Sequence, residues 1–171
     1  MASCTRAARP SCSTSPKNED CPMQGELENV DLRNASLMDA DDVALLLSEL
    51  GYPCDREDAS ERIHNIITND RQALVLARHQ GVVCGLIALD FMYYLPLGTT
   101  TCRITAMVVT PEAQGKGLGR QLLREAERRA RVGGAARLEI TSGSQRVDAQ
   151  AFYRACGYSD GTLRFVKYLG A

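Results

Sequence analysis

The alternation of extended and helical hydrophobic patterns along the chain predicts an α/β (α+β) domain. It would hold a mixed sheet with helices packed on its faces, in the order β-α-α-β-β-β-α-β-α-β. Two bulk properties agree. A length of 171 residues suits one domain with a sizeable core, and 44% hydrophobic with 24% charged residues is a globular composition. The longest apolar stretch, Gly81 to Leu89, falls far short of the ~20 residues of a membrane-spanning helix, so no membrane partner is expected.

Each element has a local cause. Val30 to Arg33 reads as a short strand. Asp39 to Leu50 carries apolar residues at Val43, Leu46, Leu47 and Leu50, a helical stripe stopped by Gly51 and Pro53. Asp55 is an N-cap for a second helix whose buried face would be Ala59, Ile63, Ile66 and Ile67. Ala73 to Arg78 and Val82 to Leu89 are β-rich and joined at Gln80-Gly81, a hairpin signal. Arg103 to Val109 is a further strand. Leu118 to Arg131 is a helix with Leu118, Leu122, Leu123, Ala126 and Ala130 inward, ended by Gly133-Gly134. Arg137 to Thr141 is a strand, Val147 to Ala155 a short helix closed by Gly157, and Leu163 to Leu169 a last strand.

The first 27 residues differ in kind. Rich in Ser, Pro, Cys and Arg and poor in large apolar residues, they are expected to form a disordered N-terminal tail, leaving 28–171 as the single domain. Met23 is an alternative start, and the Arg/Ser content has a faint transit-peptide character. The seven cysteines are scattered, odd in number and without a C-x-x-C pair. His64 and His79 stand alone. Neither a disulfide scaffold nor a metal site is expected, and the reading is a reduced, cytoplasmic protein. Twenty basic against twenty-one acidic side chains leave a net charge of −1, which argues against a nucleic-acid partner.

Chemistry concentrates after the Arg103–Val109 strand. Gln114-Gly115-Lys116-Gly117-Leu118-Gly119 sets three glycines where a helix begins. Unblocked backbone N–H groups and the positive end of the helix dipole make an anion cradle there, with Lys116, Arg120 and Arg124 adding charge. A Walker A loop needs Ser or Thr after Gly-Lys, where Gly117 stands. A Rossmann loop needs glycine at Arg120. Both fit badly.

Together with its surroundings this segment resembles the GNAT family of acetyl-CoA-dependent N-acetyltransferases. Gln114, Gly117 and Gly119 match the Q/R-x-x-G-x-G/A pyrophosphate signature. Ala149, Tyr153, Gly157 and Tyr158 match the later A-x-x-x-Y-x-x-x-G-F/Y pattern. The resemblance covers about Val30 to Leu169, and it departs at Arg146, where the family often carries Asn. It implies a mostly antiparallel sheet and acetyl-CoA as cosubstrate. The phosphates would lie on Gln114, Gly115, Lys116, Gly117, Leu118, Gly119 and Arg120, and the pantetheine arm on Met107, Val108 and Val109. The Val108 N–H would stabilise the oxyanion, and Tyr153 would act as general acid on the departing thiolate. Asp90 and Glu139 are candidates for a base that stays unassigned.

Charge is unevenly spread. Residues 39–61 hold eight acids against Arg56, a local charge of −7, and residues 102–137 hold eight bases against three acids, or +5. The basic half suits a polyanionic cosubstrate. An acidic rim at the first helices would favour a cationic small-molecule amine, although acids near helix N-termini are also ordinary. The resemblance thus implies transfer of acetyl to a primary amine by direct attack in a ternary complex. A protein or peptide N-acetyltransferase and a non-catalytic CoA-binding module are the alternatives. A homodimer pairing along Arg103–Val109 stays open. A serine or cysteine hydrolase is disfavoured, because no G-x-S-x-G elbow is present.

Overall fold

The expected sheet forms where the extended patterns lie. The computed structural model describes residues 27–143, 145–161 and 166–167. β1 (Val30–Asn34), β2 (Gln72–His79), β3 (Val82–Tyr94), β4 (Thr99–Val109) and β5 (Arg137–Ile140) stand side by side in that order. The first three pairings are antiparallel and β4–β5 is parallel, a mixed and mostly antiparallel sheet as expected. Gln80 and Gly81, both with positive φ, make the two-residue β2–β3 turn, whose twist matches the strands.

β3 and β4 run further than their apolar runs suggested, to Tyr94 and from Thr99, joined by a 3-10 turn at Leu95–Leu97 and by Gly98 at φ 62°. Aromatic and threonine residues carry this extension, and such residues favour strands without strict alternation. The expected strand at Leu163–Leu169 falls mostly outside the described residues, as does the N-terminal tail.

Helices cover both faces. α1 (Ala40–Glu49) and α2 (Arg56–Ile67) bury Val43, Leu46, Ala59 and Ile63 against Leu74, Leu76, Leu86, Ala88 and Val108. Asp55 caps α2 by accepting the Asp58 N–H at 2.8 Å. Ile67 departs from the expected buried face: in the last turn, beyond the cluster that takes Ile63, it is 48% exposed. α3 (Leu118–Val132) buries the five residues named for it against Val75, Ile87, Leu89, Cys102 and Ile104 on the opposite face. α4 (Val147–Ala155) spans the expected residues. Full burial of each Leu or Ile here contributes roughly 1.5–3 kcal/mol.

Candidate active site

The site is built where β4 and β5 part. β5 pairs with β4 only from Thr101↔Arg137 to Ile104↔Ile140. Beyond Ile104, β4 continues along β3 alone among the described residues, leaving an open fork on its β5 side. Thr105 is the cause on β4: the register passes from Leu89↔Ile104 to Ala88↔Ala106, so Thr105 is a bulge, which sharpens twist and re-aims the strand.

The bulge also decides which amides face the fork. The Thr110 N–H donates to the Cys84 carbonyl at 2.9 Å, and the same register pairs Val108 with Leu86. Bonded and non-bonded pairs alternate in an antiparallel ladder, so the Val108 N–H turns toward β3. Val108's side chain is likewise buried against α1 and α2. The expectation that Val108 supplies an amide to the fork is therefore corrected: the amides of Met107 and Val109 point there instead.

Past β4 the chain makes a 3-10 turn at Pro111–Ala113 and enters the glycine loop. Gly115 has φ 72° and Gly117, the α3 N-cap, φ 76°, left-handed values that cost a side-chain-bearing residue about 1 kcal/mol or more. Among the described residues, no heavy atom outside its chain neighbours lies within 4 Å of where a Gly115 Cβ would stand, so the loop forms an open cradle. The first α3 amides have no partner within the helix and point into it. Leu118 offers only that backbone, its side chain being buried in the core. Gln114 turns back on the strand, donating through Nε2 to the Val109 carbonyl at 3.0 Å. Lys116 accepts the Leu27 N–H at its carbonyl, and burial pushes the Cys156 thiol pKa up while nearby Arg120 pulls against it. Gly119 is needed for approach: a Cβ there would stand 3.2 Å from Phe152 Cζ and 3.4 Å from Met107 Cε.

Phe152 and Tyr153 bring α4 onto this corner. The Tyr153 hydroxyl lies 4.0 Å from Met107 Sδ, and its ring meets Phe152 edge-on at 5.4 Å and Tyr158 at 6.1 Å. Burial pushes the Tyr153 pKa up, while the charge of Arg146 pulls against it. The phenol therefore stays protonated at neutral pH, as a proton donor must. Tyr158's hydroxyl is buried with no hydrogen-bond partner among the described residues, and burial raises its pKa further.

Asp90 and Glu139 stand away from Tyr153. Their neighbours Leu89, Leu138 and Ile140 pack with the α3 core, so both acids emerge on the α1/α2 face. Each Glu139 oxygen is engaged, one by Arg103 at 3.3 Å and the other by Arg137, and Asp90 accepts from Gln72 Nε2 at 3.1 Å. The acidic rim is weaker than its count of charges. Asp39 is buried in an ion pair with Arg33 that holds its carboxyl well below the usual range, Asp41 pairs with Arg56 at 3.0 Å, and Asp55 is a cap. Three things were not visible in the sequence: the Thr105 bulge, the packing role of Phe152, and the Arg103–Glu139–Arg137 array, whose only trace was alternate polar positions on two strands. Among the described residues no three His, Cys, Asp or Glu side chains group to hold a metal, and no helix is long and apolar enough to cross a membrane.

Known proteins with this arrangement were found at three levels. The acetyltransferase (GNAT) family model matches residues 40–158. An aminoalkylphosphonate N-acetyltransferase of Salmonella typhimurium is 33% identical over 144 residues, covering 81% of this chain and 91% of that protein. A crystal structure of a transcriptional regulator from Bacillus halodurans superposes with a TM-score of 0.76 at 21% identity, covering 82% of this chain and all of that one. AAC(6')-Iy, solved with the bisubstrate analogue CoA-S-monomethyl-acetylneamine, gives a TM-score of 0.73 at 17% identity, over 84% of this chain and 99% of that one.

Proposed function

The chain belongs to the GNAT acetyltransferase family and is an acyltransferase; from that premise we propose that it transfers acetyl from acetyl-CoA to the primary amine of a small molecule. The observation that carries the reading is the corner itself, with an open strand fork, a glycine cradle at a helix N-terminus and the Tyr153 hydroxyl 4.0 Å from Met107 Sδ. The relative's name supports a small aminoalkyl acceptor. The domain over 28–171 acts as one unit in a reducing cytoplasm, and the free thiols of Cys54, Cys84, Cys102 and Cys156 support that setting.

Acetyl-CoA supplies an activated acyl group and a thiol that leaves once protonated. The chain's residues do the rest. Backbone N–H groups of Gly115 to Gly119 hold the phosphates by dipole and hydrogen bond, and Lys116 adds charge. Gln114 keeps the loop tied to the end of β4 rather than reaching for phosphate. The Val109 amide orients the pantetheine arm in the fork. The Met107 amide polarises the thioester carbonyl and stabilises the oxyanion, a contribution that in other enzymes is about 3–4 kcal/mol per donor. The neutral amine attacks directly in a ternary complex, the C–S bond breaks as Tyr153 donates its proton to the thiolate, and the proton lost from the new amide nitrogen returns the phenol to its acid form.

Thermal unfolding with and without acetyl-CoA, followed by thiol release over a panel of amines, tests the reading. At about 100 times Kd the cosubstrate adds roughly 2.7 kcal/mol, an upward shift of about 5–10 °C for a domain of this size. No shift at millimolar acetyl-CoA overturns it.

A further inference from the structure

The α1/α2 face of the sheet carries a row of charged side chains that folding alone does not require. Asp90, Arg103 and Glu139 are register neighbours across β3, β4 and β5, and Gln72 extends the row onto β2. All are half-buried, beyond the patch of sheet that α1 and α2 cover. Arg103 and Glu139 stand one residue before Ile104↔Ile140, the last pair before the fork. Tyr153 and the glycine loop approach that fork from the α3 side, so this row looks onto it from the opposite face.

The row is fixed in place. Arg137 lies over the Tyr94 ring at 4.4 Å, donates through Nε to Thr101 Oγ1 at 3.3 Å and pairs with Glu139. Glu139 in turn holds Arg103 through one guanidinium nitrogen. Two guanidinium groups thus share one carboxylate, while Asp90 is engaged by Gln72. A guanidinium has five N–H donors in a rigid fork, so Arg103 keeps donors beyond its bond to Glu139.

Resting on the acetyltransferase reading, we propose that Arg103, braced by Glu139 and Arg137, binds an anionic group on the acceptor. The substrate is then an amine with a carboxylate or phosphonate at the far end of its chain. Distance sets which ones. Met107 lies four residues along β4 from Arg103, but the Thr105 bulge leaves only three steps on β3, from Asp90 to Ile87, or about 10 Å at the strand rise. Glu139 holds the guanidinium beside it within the row, so the acceptor must cover most of that span. Longer ω-amino anions fit, and an anion one carbon from the nitrogen does not. A charge-assisted bond of this kind discriminates by roughly 10- to 100-fold.

The test measures acetyl-CoA-dependent thiol release with two matched acceptor series, ω-aminoalkylphosphonates and n-alkylamines, with acetyl-CoA thermal shift read on the same samples. The wild-type chain is expected to favour phosphonates, increasingly as the alkyl chain lengthens. Arg103→Gln is expected to cut the ratio of kcat/KM between the series by about 10- to 100-fold, mainly through KM. Arg103→Lys, which keeps the charge but not the fork, should fall between. Glu139→Gln, which loses the ion pairs that brace the guanidinium, should lower the ratio by less than Arg103→Gln does. Equal use of the two series, a preference for the plain amines, or Arg103 variants that lower both series together would overturn the proposal while leaving the acetyltransferase reading intact. Absence of both thermal shift and turnover with every acceptor would overturn both.

Discussion

Replacing Tyr153 with phenylalanine separates a catalytic hydroxyl from a packed ring. The ring's edge contacts with Phe152 and Tyr158 survive the change, and the hydroxyl's one described contact is Met107 Sδ at 4.0 Å. That contact is at the weak end of hydrogen bonding, so folding should lose no more than about 0.5 kcal/mol. Turnover should lose far more. A positioned general acid contributes roughly 10²- to 10⁴-fold, or about 3–5 kcal/mol of barrier. The pH dependence follows from the raised pKa of the phenol. If Tyr153 is the acid, its protonated form is the active one, so wild-type kcat should fall only as pH rises through a value above the ordinary tyrosine pKa of about 10, and Tyr153→Phe should lack that limb. Stopped-flow thiol release at saturating acetyl-CoA gives kcat, and thermal shift in the same buffer shows that cosubstrate binding is kept. A variant with kcat within twofold of wild type would refute the assignment. So would one whose rate fell only because the acetyl-CoA shift had vanished.

Three other perturbations report on the loop, the entry to α1 and the core. Gly117→Glu adds a Cβ at φ 76° and an anion inside the cradle, and should abolish the acetyl-CoA thermal shift while costing about 1–2 kcal/mol of stability. Asp39→Asn leaves Arg33 without its partner and weakens the bond from the Ser36 N–H, a loss of about 2–3 kcal/mol given that Arg33 is partly solvated, seen as a Tm lower by roughly 5–10 °C. The Asp39 carboxyl lies below its ordinary range and Glu125, between Arg128 and Arg129, is held down to about 2. Both stabilise the fold above the unfolded pKa near 4, and circular dichroism melts should show that stability fading as pH falls from about 4 toward 2, less steeply in Asp39→Asn. Gly85→Ala would set a Cβ 3.0 Å from the Val108 carbonyl and 3.2 Å from Leu122 Cδ1. Urea unfolding should read a cost of about 1–3 kcal/mol, against which better strand propensity contributes little.

The parts of the fold legible in the sequence are those where one physical rule acts alone. The α3 stripe, Leu118 to Ala130, is buried residue for residue because a single helix face meets a single sheet. Asp55 caps α2 because the cap is a bond between neighbours. Where two influences compete, the pattern misleads. Counting acids near α1 and α2 gave a strongly negative rim, yet the structure uses Asp39, Asp41 and Asp55 in bonds the count could not see. Gln114 belongs to the glycine loop by position, but its amide turns to the Val109 carbonyl, a contact five residues back that no spacing rule announces.

The corrected choice of fork-facing amides has the same origin. Strand residues alternate faces, and their amides alternate edges, so the choice among Met107, Val108 and Val109 is a question of parity. Parity is counted from a hydrogen-bonded pair, and here that pair is Thr110 with Cys84, set by the register of β3. The bulge at Thr105 shifts the count once more between the two ends of β4. Below it, Cys102 and Ile104 face α3. Above it, Met107 and Val109 do so, and Val108 faces α1 and α2. The shift puts the Met107 side chain against Tyr153 and Gly119 and turns its amide to the fork. One inserted residue therefore brings the proposed acid, the cradle and the proposed oxyanion donor to the same corner. Deleting Thr105 would exchange the amides of Met107 and Val108, and should abolish turnover even where the shortened strand still folds.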